Sequence, residues 1–198
     1  MSVTRGAAGG SFPGRVRIVA GSRRGRYIKV PQKHTVRPTS DMVRQAVFNV
    51  LGPIGDLAVL DLFAGSGALG LEALSRGARS CLFVESDPTV ARILSDNIVS
   101  LEYEAAAKIV VADYKKALER LVTAGTCFDL LFVDPPYRIL EEVEGVLSVL
   151  VPRVMTHDGV VVIESDSSSQ ASLGLTPVFA RIYGDTKITM AVTRRSLD

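Results

Sequence analysis

Asp134-Pro135-Pro136-Tyr137 is the stretch of this 198-residue chain whose residue types point most directly to chemistry. It follows the apolar run Phe128-Asp129-Leu130-Leu131-Phe132-Val133, which reads as a buried strand of a parallel sheet. Open α/β sheets bind their ligands beyond the carboxyl ends of such strands. Proline has no N–H and restricts the residue before it, so the carbonyls around Pro135 can point into a cleft unpaired by local structure. The Asp134 carboxylate and one such carbonyl then offer two acceptors to the two hydrogens of a planar amino group. Tyr137 supplies a flat face on which a base stacks. The plainer alternative is a strand ended by a capping aspartate, a Pro-Pro stop and a core tyrosine. The other strand ends weigh against it.

The first of these is Asp61-Leu62-Phe63-Ala64-Gly65-Ser66-Gly67-Ala68-Leu69-Gly70. Gly65, Gly67 and Gly70 match the G-x-G-x-x-G fingerprint in a strand–turn–helix setting. Alone, the match says only that a nucleotide-like ligand approaches the backbone closely. Asp61 puts a carboxylate in that cleft, where a pyrophosphate is repelled and a cationic ligand is welcomed. S-adenosyl-L-methionine, with an ammonium and a sulfonium, suits the site. Glu85 ends the strand Cys81-Leu82-Phe83-Val84 and is placed to accept hydrogen bonds from both ribose hydroxyls, which fits NAD equally well. Asp113, after the strand Lys108 to Val111, is placed to accept from an adenine amino group. Asp87 and Asp113 also precede helices, where an acid serves as N-cap. Three acids at three successive strand ends, with Asp134 after the fourth, argue together for a nucleotide-type cofactor.

The elements that must position these residues follow from periodicity. From Leu57 onward strands near 57–61, 80–84, 107–111, 128–133 and 159–164 alternate with helices near 67–76, 88–101, 114–124 and 140–151. This rhythm specifies a doubly wound, mostly parallel α/β sheet with helices on both faces. Val178 to Tyr183 and Lys187 to Thr193 flank Gly184-Asp185-Thr186 and read as an antiparallel hairpin at the sheet edge. Upstream, Arg15 to Gly21 and Arg26 to Pro31 alternate basic and apolar residues around Ser22 to Gly25, the pattern of a β-hairpin with one basic face. Thr39 or Ser40 then caps a helical run of Met42, Val43, Ala46, Val47, Val50 and Leu51, which Gly52-Pro53 ends.

The net charge of +2 conceals an asymmetry. Residues 1–50 hold ten Lys/Arg against the single acid Asp41, and the remainder holds thirteen against twenty acids. A basic arm on an acidic body suggests a polyanionic partner, here nucleic acid. Arg15, Arg17, Arg23, Arg24, Arg26 and Lys29 are the candidate phosphate contacts. Because every cofactor acid lies beyond Asp56, the arm is expected to be removable without loss of cofactor affinity. No apolar run approaches the roughly 18 residues that span a bilayer. The Gly-rich Met1 to Gly14 has no apolar core of a secretory signal and reads as a disordered tail. Cys81 and Cys127 are expected to be buried free thiols, and with His34 and His157 they have no metal-ligand spacing. The chain is expected to be cytoplasmic, monomeric and without a structural metal.

The run from Leu60 to Ala78, together with Asp134-Pro135-Pro136-Tyr137, resembles the RsmD family of small-subunit rRNA guanine-N2 methyltransferases. Gly21-Ser22-Arg23-Arg24-Gly25-Arg26 and the segment Arg37 to Asn49 resemble it too, the latter more specifically. The resemblance spans nearly everything from Arg15 to Thr193. It implies a Rossmann-like class I methyltransferase with a seven-stranded, mostly parallel sheet. The chain is expected to divide into a disordered tail (1–14) outside the resemblance, a basic RNA-binding β-hairpin with its connecting helix (15–52) and a methyltransferase domain (53–198). The resemblance implies S-adenosyl-L-methionine as cofactor and, as partner, 16S rRNA in the small ribosomal subunit or its assembly intermediate. The implied catalytic set is Asp134, Pro135, Pro136 and Tyr137. The implied cofactor set is Thr39, Phe48, Asp61, Phe63, Ala64, Gly65, Gly67, Gly70, Glu85, Ser86 and Asp113, with Arg37-Pro38-Thr39 closing over the ligand. Three alternatives stand beside it. A DNA adenine-N6 methyltransferase usually needs a larger recognition domain. An NAD oxidoreductase leaves Asp134 to Tyr137 unexplained. A non-enzymatic RNA-binding assembly factor has no need of an intact chemical site.

Overall fold

The computed structural model describes residues 14–31, 39–136 and 140–193, with the backbone alone at 39, 40 and 140–142. Strands β1 (Arg15–Arg17) and β2 (Tyr27–Lys29) form a separate antiparallel hairpin, with Val16 opposite Ile28. Helix α1 (Thr39–Leu51) follows. Next come β3 (Ala58–Asp61), α2 (Ala68–Ser75), β4 (Ser80–Glu85), α3 (Pro88–Ser100), β5 (Ala107–Val111), α4 (Tyr114–Thr123) and β6 (Phe128–Val133). The chain ends with α5 (Leu140–Leu150), β7 (Met155–Asp166), β8 (Thr176–Tyr183) and β9 (Thr186–Val192).

The seven-stranded sheet has the order β5-β4-β3-β6-β7-β9-β8. Strands β3 to β7 are parallel, and β9 pairs antiparallel with both β7 and β8. The chain winds outward from β3 to β5 and returns to β6 beside β3. That reversal opens a crevice between the carboxyl ends of β3 and β6. The central strands are continuously apolar because both faces are covered: Leu130, Leu131 and Phe132 of β6 are all fully buried. Local signals fix the helix starts. Asp87 Oδ1 accepts the Thr89 N–H at 2.7 Å ahead of Pro88, and Asp113 Oδ1 accepts the Lys115 N–H at 3.0 Å.

The basic arm is not a removable appendage, which corrects one expectation. Val16, Ile18, Ile28 and Val30 belong to the same apolar cluster as Val59, Phe83 and Phe132 of the sheet. Its turn is seated on α2, where Gly21 has φ +81° and any Cβ would lie 1.7 Å from the Ser75 carbonyl oxygen. The wholly buried Glu72 completes the joint, accepting the Val19 and Ala20 N–H groups at 2.7 and 3.0 Å. Removing residues 1–31 would strip part of the core.

Two further expectations change. The apolar run in α1 does not face inward throughout: Met42 is 65% exposed and Val50 43%, while Val43, Arg44, Val47 and Phe48 form the buried stripe. Arg44 can enter that stripe because its guanidinium finds Asp41 Oδ1 and the Arg17 carbonyl oxygen at 2.7 and 2.6 Å. Cys81 is a buried free thiol on β4, but Cys127 is exposed. The inward-facing residues of β6 begin only at Phe128, and the preceding turn leaves Cys127 at the surface. No helix among the described residues is long and apolar enough to cross a membrane.

Candidate active site

Beyond the carboxyl ends of β3, β4, β5, β6 and β7 lies a cleft of about 770 Å³, within the range of small-molecule sites. Its walls include Asp61 to Ser66, Glu85 to Asp87, Ala112 to Tyr114 and Asp134 to Pro136. The four strand ends singled out from the sequence therefore meet in one place. The Phe63 and Tyr114 rings pack at 5.4 Å between centroids on this wall.

The three fingerprint glycines have three different functions. Gly65 has φ +52° and nothing within 4 Å of where a Cβ would stand, so its backbone is open to the cleft. Gly67 starts α2 in a left-handed conformation (φ +85°), and a Cβ there would lie 2.4 Å from Leu94 Cδ1. At Gly70 a Cβ would strike the Phe83 ring at 2.3 Å and Cys81 Sγ at 2.6 Å. Gly65 is a cleft residue, whereas Gly67 makes room for Leu94 of α3 and Gly70 lets α2 approach β4, and neither lines the cleft.

The acids are also organised by the backbone. Asp61 is buried and its Oδ2 accepts the Gly70 N–H at 3.0 Å. Burial pushes its carboxyl up to about 7, opposed by that hydrogen bond and reinforced by the Glu85 charge. Glu85 accepts the Gly65 N–H through Oε2 and the Asp87 N–H through Oε1, both at 2.8 Å. It fixes the glycine loop as well as offering lone pairs to a ligand. Burial first, then the charges of Glu164 and Asp61, hold the Asp134 carboxyl well above the usual carboxylate range.

Phe48 is not in the cleft. It is core, packed on Phe132 at 5.7 Å and under the Arg76 guanidinium at 4.6 Å. Tyr137 and Arg37-Pro38 lie outside the described residues, and so does the Thr39 side chain. The cleft has further walls that sequence reasoning missed: Val16 and Val30 of the hairpin, Val43, Arg44 and Val47 of α1, and Glu164. Glu164 was legible by the rule that found Asp134, because it too is an acid directly after an apolar run, Val160 to Ile163.

The basic residues divide into two groups. Arg23 donates from Nε to the Leu101 carbonyl oxygen at 2.7 Å and pairs with Glu102 at 2.8 Å. Arg26 reaches the Ser100 carbonyl oxygen at 2.7 Å, and Lys29 pairs with Asp96 at 3.3 Å. These three dock the hairpin on the end of α3. Arg15, Arg17 and Arg24 are exposed and make no ion pair among the described residues.

The sequence profile of the family described as "Conserved hypothetical protein 95" matches residues 16–192. Ribosomal RNA small subunit methyltransferase D of Escherichia coli K12 is 44% identical over 140 residues, 69% of each chain. A solved structure of a hypothetical protein from Thermus thermophilus superimposes with a TM-score of 0.77 at 32% identity, covering 89% of this chain and 98% of that one. An RNA methyltransferase from Salinibacter ruber, solved with S-adenosyl-L-homocysteine, shares the fold: TM-score 0.62 at 12% identity, over 82% of this chain and 97% of that one. The profile runs from the first hairpin strand at Val16 to the last residue of β9 at Val192, taking in the whole cleft, and the chain belongs to the RsmD family.

Proposed function

We propose that this protein transfers a methyl group from S-adenosyl-L-methionine to the exocyclic N2 of a guanine in 16S rRNA. It acts in the cytoplasm, as a monomer, on the small ribosomal subunit or an assembly intermediate. The observation that carries the reading is the position of Asp134, Pro135 and Pro136 in the same acid-lined cleft as the open backbone of Gly65.

The cleft suits this cofactor. Asp61, Glu85, Asp87, Asp113, Asp134 and Glu164 line it against Arg44 as the one cation among the described residues, an arrangement hostile to polyphosphate and hospitable to a positive ligand. S-adenosyl-L-methionine, when bound, supplies an electrophilic methyl group on a positively charged sulfur. Glu85 and Asp113, both on the cleft wall, are assigned to the ribose hydroxyls and the adenine amine, and the open backbone of Gly65 to close approach.

Guanine N2 is a poor nucleophile because its lone pair is delocalised into the ring. Asp134 and a carbonyl at Pro135 or Pro136 take its two hydrogens, aim the lone pair and stabilise positive charge as it develops on nitrogen. The N2–H proton then passes to Asp134 or to water. The base leaves its stack to reach the site, and Tyr137 is assigned to receive it.

Tritium transfer to small-subunit RNA, followed by mapping of the labelled nucleotide, tests the proposal. Label on a guanine N2 is expected, and label on adenine, or none, overturns it. Glu85→Ala should weaken cofactor binding by about 1.5–3 kcal/mol, the worth of hydrogen bonds to a charged group, with the loosened Gly65 loop adding to the loss. Calorimetry showing unchanged affinity would reduce Glu85 to a loop anchor. For the RNA surface, Arg15, Arg17 and Arg24 are the residues to reverse together to Glu. Each phosphate contact contributes about −0.7 to −0.9 to the slope of log K against log[salt], so the triple variant should bind RNA weakly and with a flatter slope. An unchanged slope would place the RNA elsewhere.

A further inference from the structure

Strands β6 and β7 run parallel with Val133 opposite Ile163. One residue further along, Asp134 follows the end of β6 and Glu164 lies within β7, which continues to Asp166, so the register sets the two acids at neighbouring positions. Adjacent strands are about 4.8 Å apart, and both side chains line the cleft. The Glu164 charge is felt at Asp134, where it reinforces the effect of burial. Together they offer two adjacent acceptors in one cleft wall to a ligand edge that carries two adjacent donors.

Guanine has that edge. Its N1–H lies next to the N2 amine, so its Watson–Crick side presents consecutive donors. Adenine presents an acceptor at N1 beside its amine and would turn a lone pair towards the second carboxylate. Building on the function proposed above, we infer that Glu164 is the specificity-determining residue of this site. Its carboxylate accepts the N1–H of the target guanine while Asp134 and the proline carbonyls hold N2. Asp134 by itself would serve any exocyclic amine, and Glu164 restricts the site to guanine.

The test uses small-subunit RNA in which the mapped guanine is kept or is replaced, by splint ligation, with 2-aminopurine. That base retains the 2-amino group but has no hydrogen on N1. Wild-type protein should methylate the 2-aminopurine RNA with kcat/KM lower by roughly 10²-fold, because a site built to accept a hydrogen bond rejects an analogue that cannot donate it. The E164Q variant can donate its amide to the bare N1, so the preference should shrink to within about fivefold. Equal use of the two RNAs by wild-type protein overturns the inference without any variant having to fold. An E164Q protein that keeps the full wild-type preference also overturns it. Failure of the wild type on the guanine RNA itself is a different result, and it removes the parent function together with this role.

Discussion

Asp134→Ala leaves S-adenosyl-L-methionine binding nearly intact and lowers methyl transfer by about 10²–10³-fold, the usual cost of removing one group aimed at transition-state charge. The expectation rests on where the carboxylate lies: at the end of β6, in the cleft wall, between Asp61 and Glu164 and next to two prolines. Only its ionised form is a full acceptor for the amine and a counter-charge for nitrogen. Because burial and its acidic neighbours raise its pKa, the rate should fall as the pH drops through that raised value, at a pH above the ordinary carboxylate range. The acidic limb should vanish in Asp134→Asn, whose residual rate no longer depends on this group. Single-turnover assays across pH decide it. An alanine variant with more than about a third of wild-type turnover would remove Asp134 from the mechanism, since that loss is far below the usual effect.

The second large effect is on stability, at a residue far from the chemistry. Glu72 is wholly buried on α2, where it accepts the Val19 and Ala20 N–H groups, pairs with Arg76 Nε at 2.8 Å and lies 3.8 Å from Arg44 Nε. Glu72→Ala leaves two amides and the Arg76 guanidinium without their shared acceptor and removes the carboxylate charge beside Arg44. Breaking a buried ion pair from one side costs about 3–5 kcal/mol. For a chain of this size the melting temperature should fall by on the order of 10 °C. Hydrogen exchange should locate the damage first in the hairpin, at Val19 and Ala20, before the central strands open. A variant that melts like the wild type, with those amides still protected, would show that the apolar face of the hairpin suffices to hold it.

The elements and the strand ends were legible in the chain because both are written in local patterns. The apolar runs at 80–85, 107–111 and 128–133 are strands wherever they occur in a doubly wound sheet, and the acids and glycines that follow them must emerge on one edge. Asp61, Glu85, Asp113 and Asp134 could be picked out for that reason. The hairpin could be read as well, since Arg15, Arg17, Tyr27 and Lys29 alternate with Val16 and Ile28. Which of these residues face a ligand and which face each other is a matter of packing. Nothing local distinguishes Gly65, open to the cleft, from Gly70, pressed on the Phe83 ring, because the neighbour that matters to Gly70 belongs to another strand. Nothing local separates Arg23, spent on Leu101 and Glu102, from the exposed Arg24 beside it. The pairing of Glu164 with Asp134 comes from the register of two neighbouring strands far apart in the chain, and Glu72 reaches the hairpin across 52 and 53 residues of sequence. Such contacts are set by how the whole sheet and its helices close on each other, and a pattern that repeats every two or four residues carries no record of them.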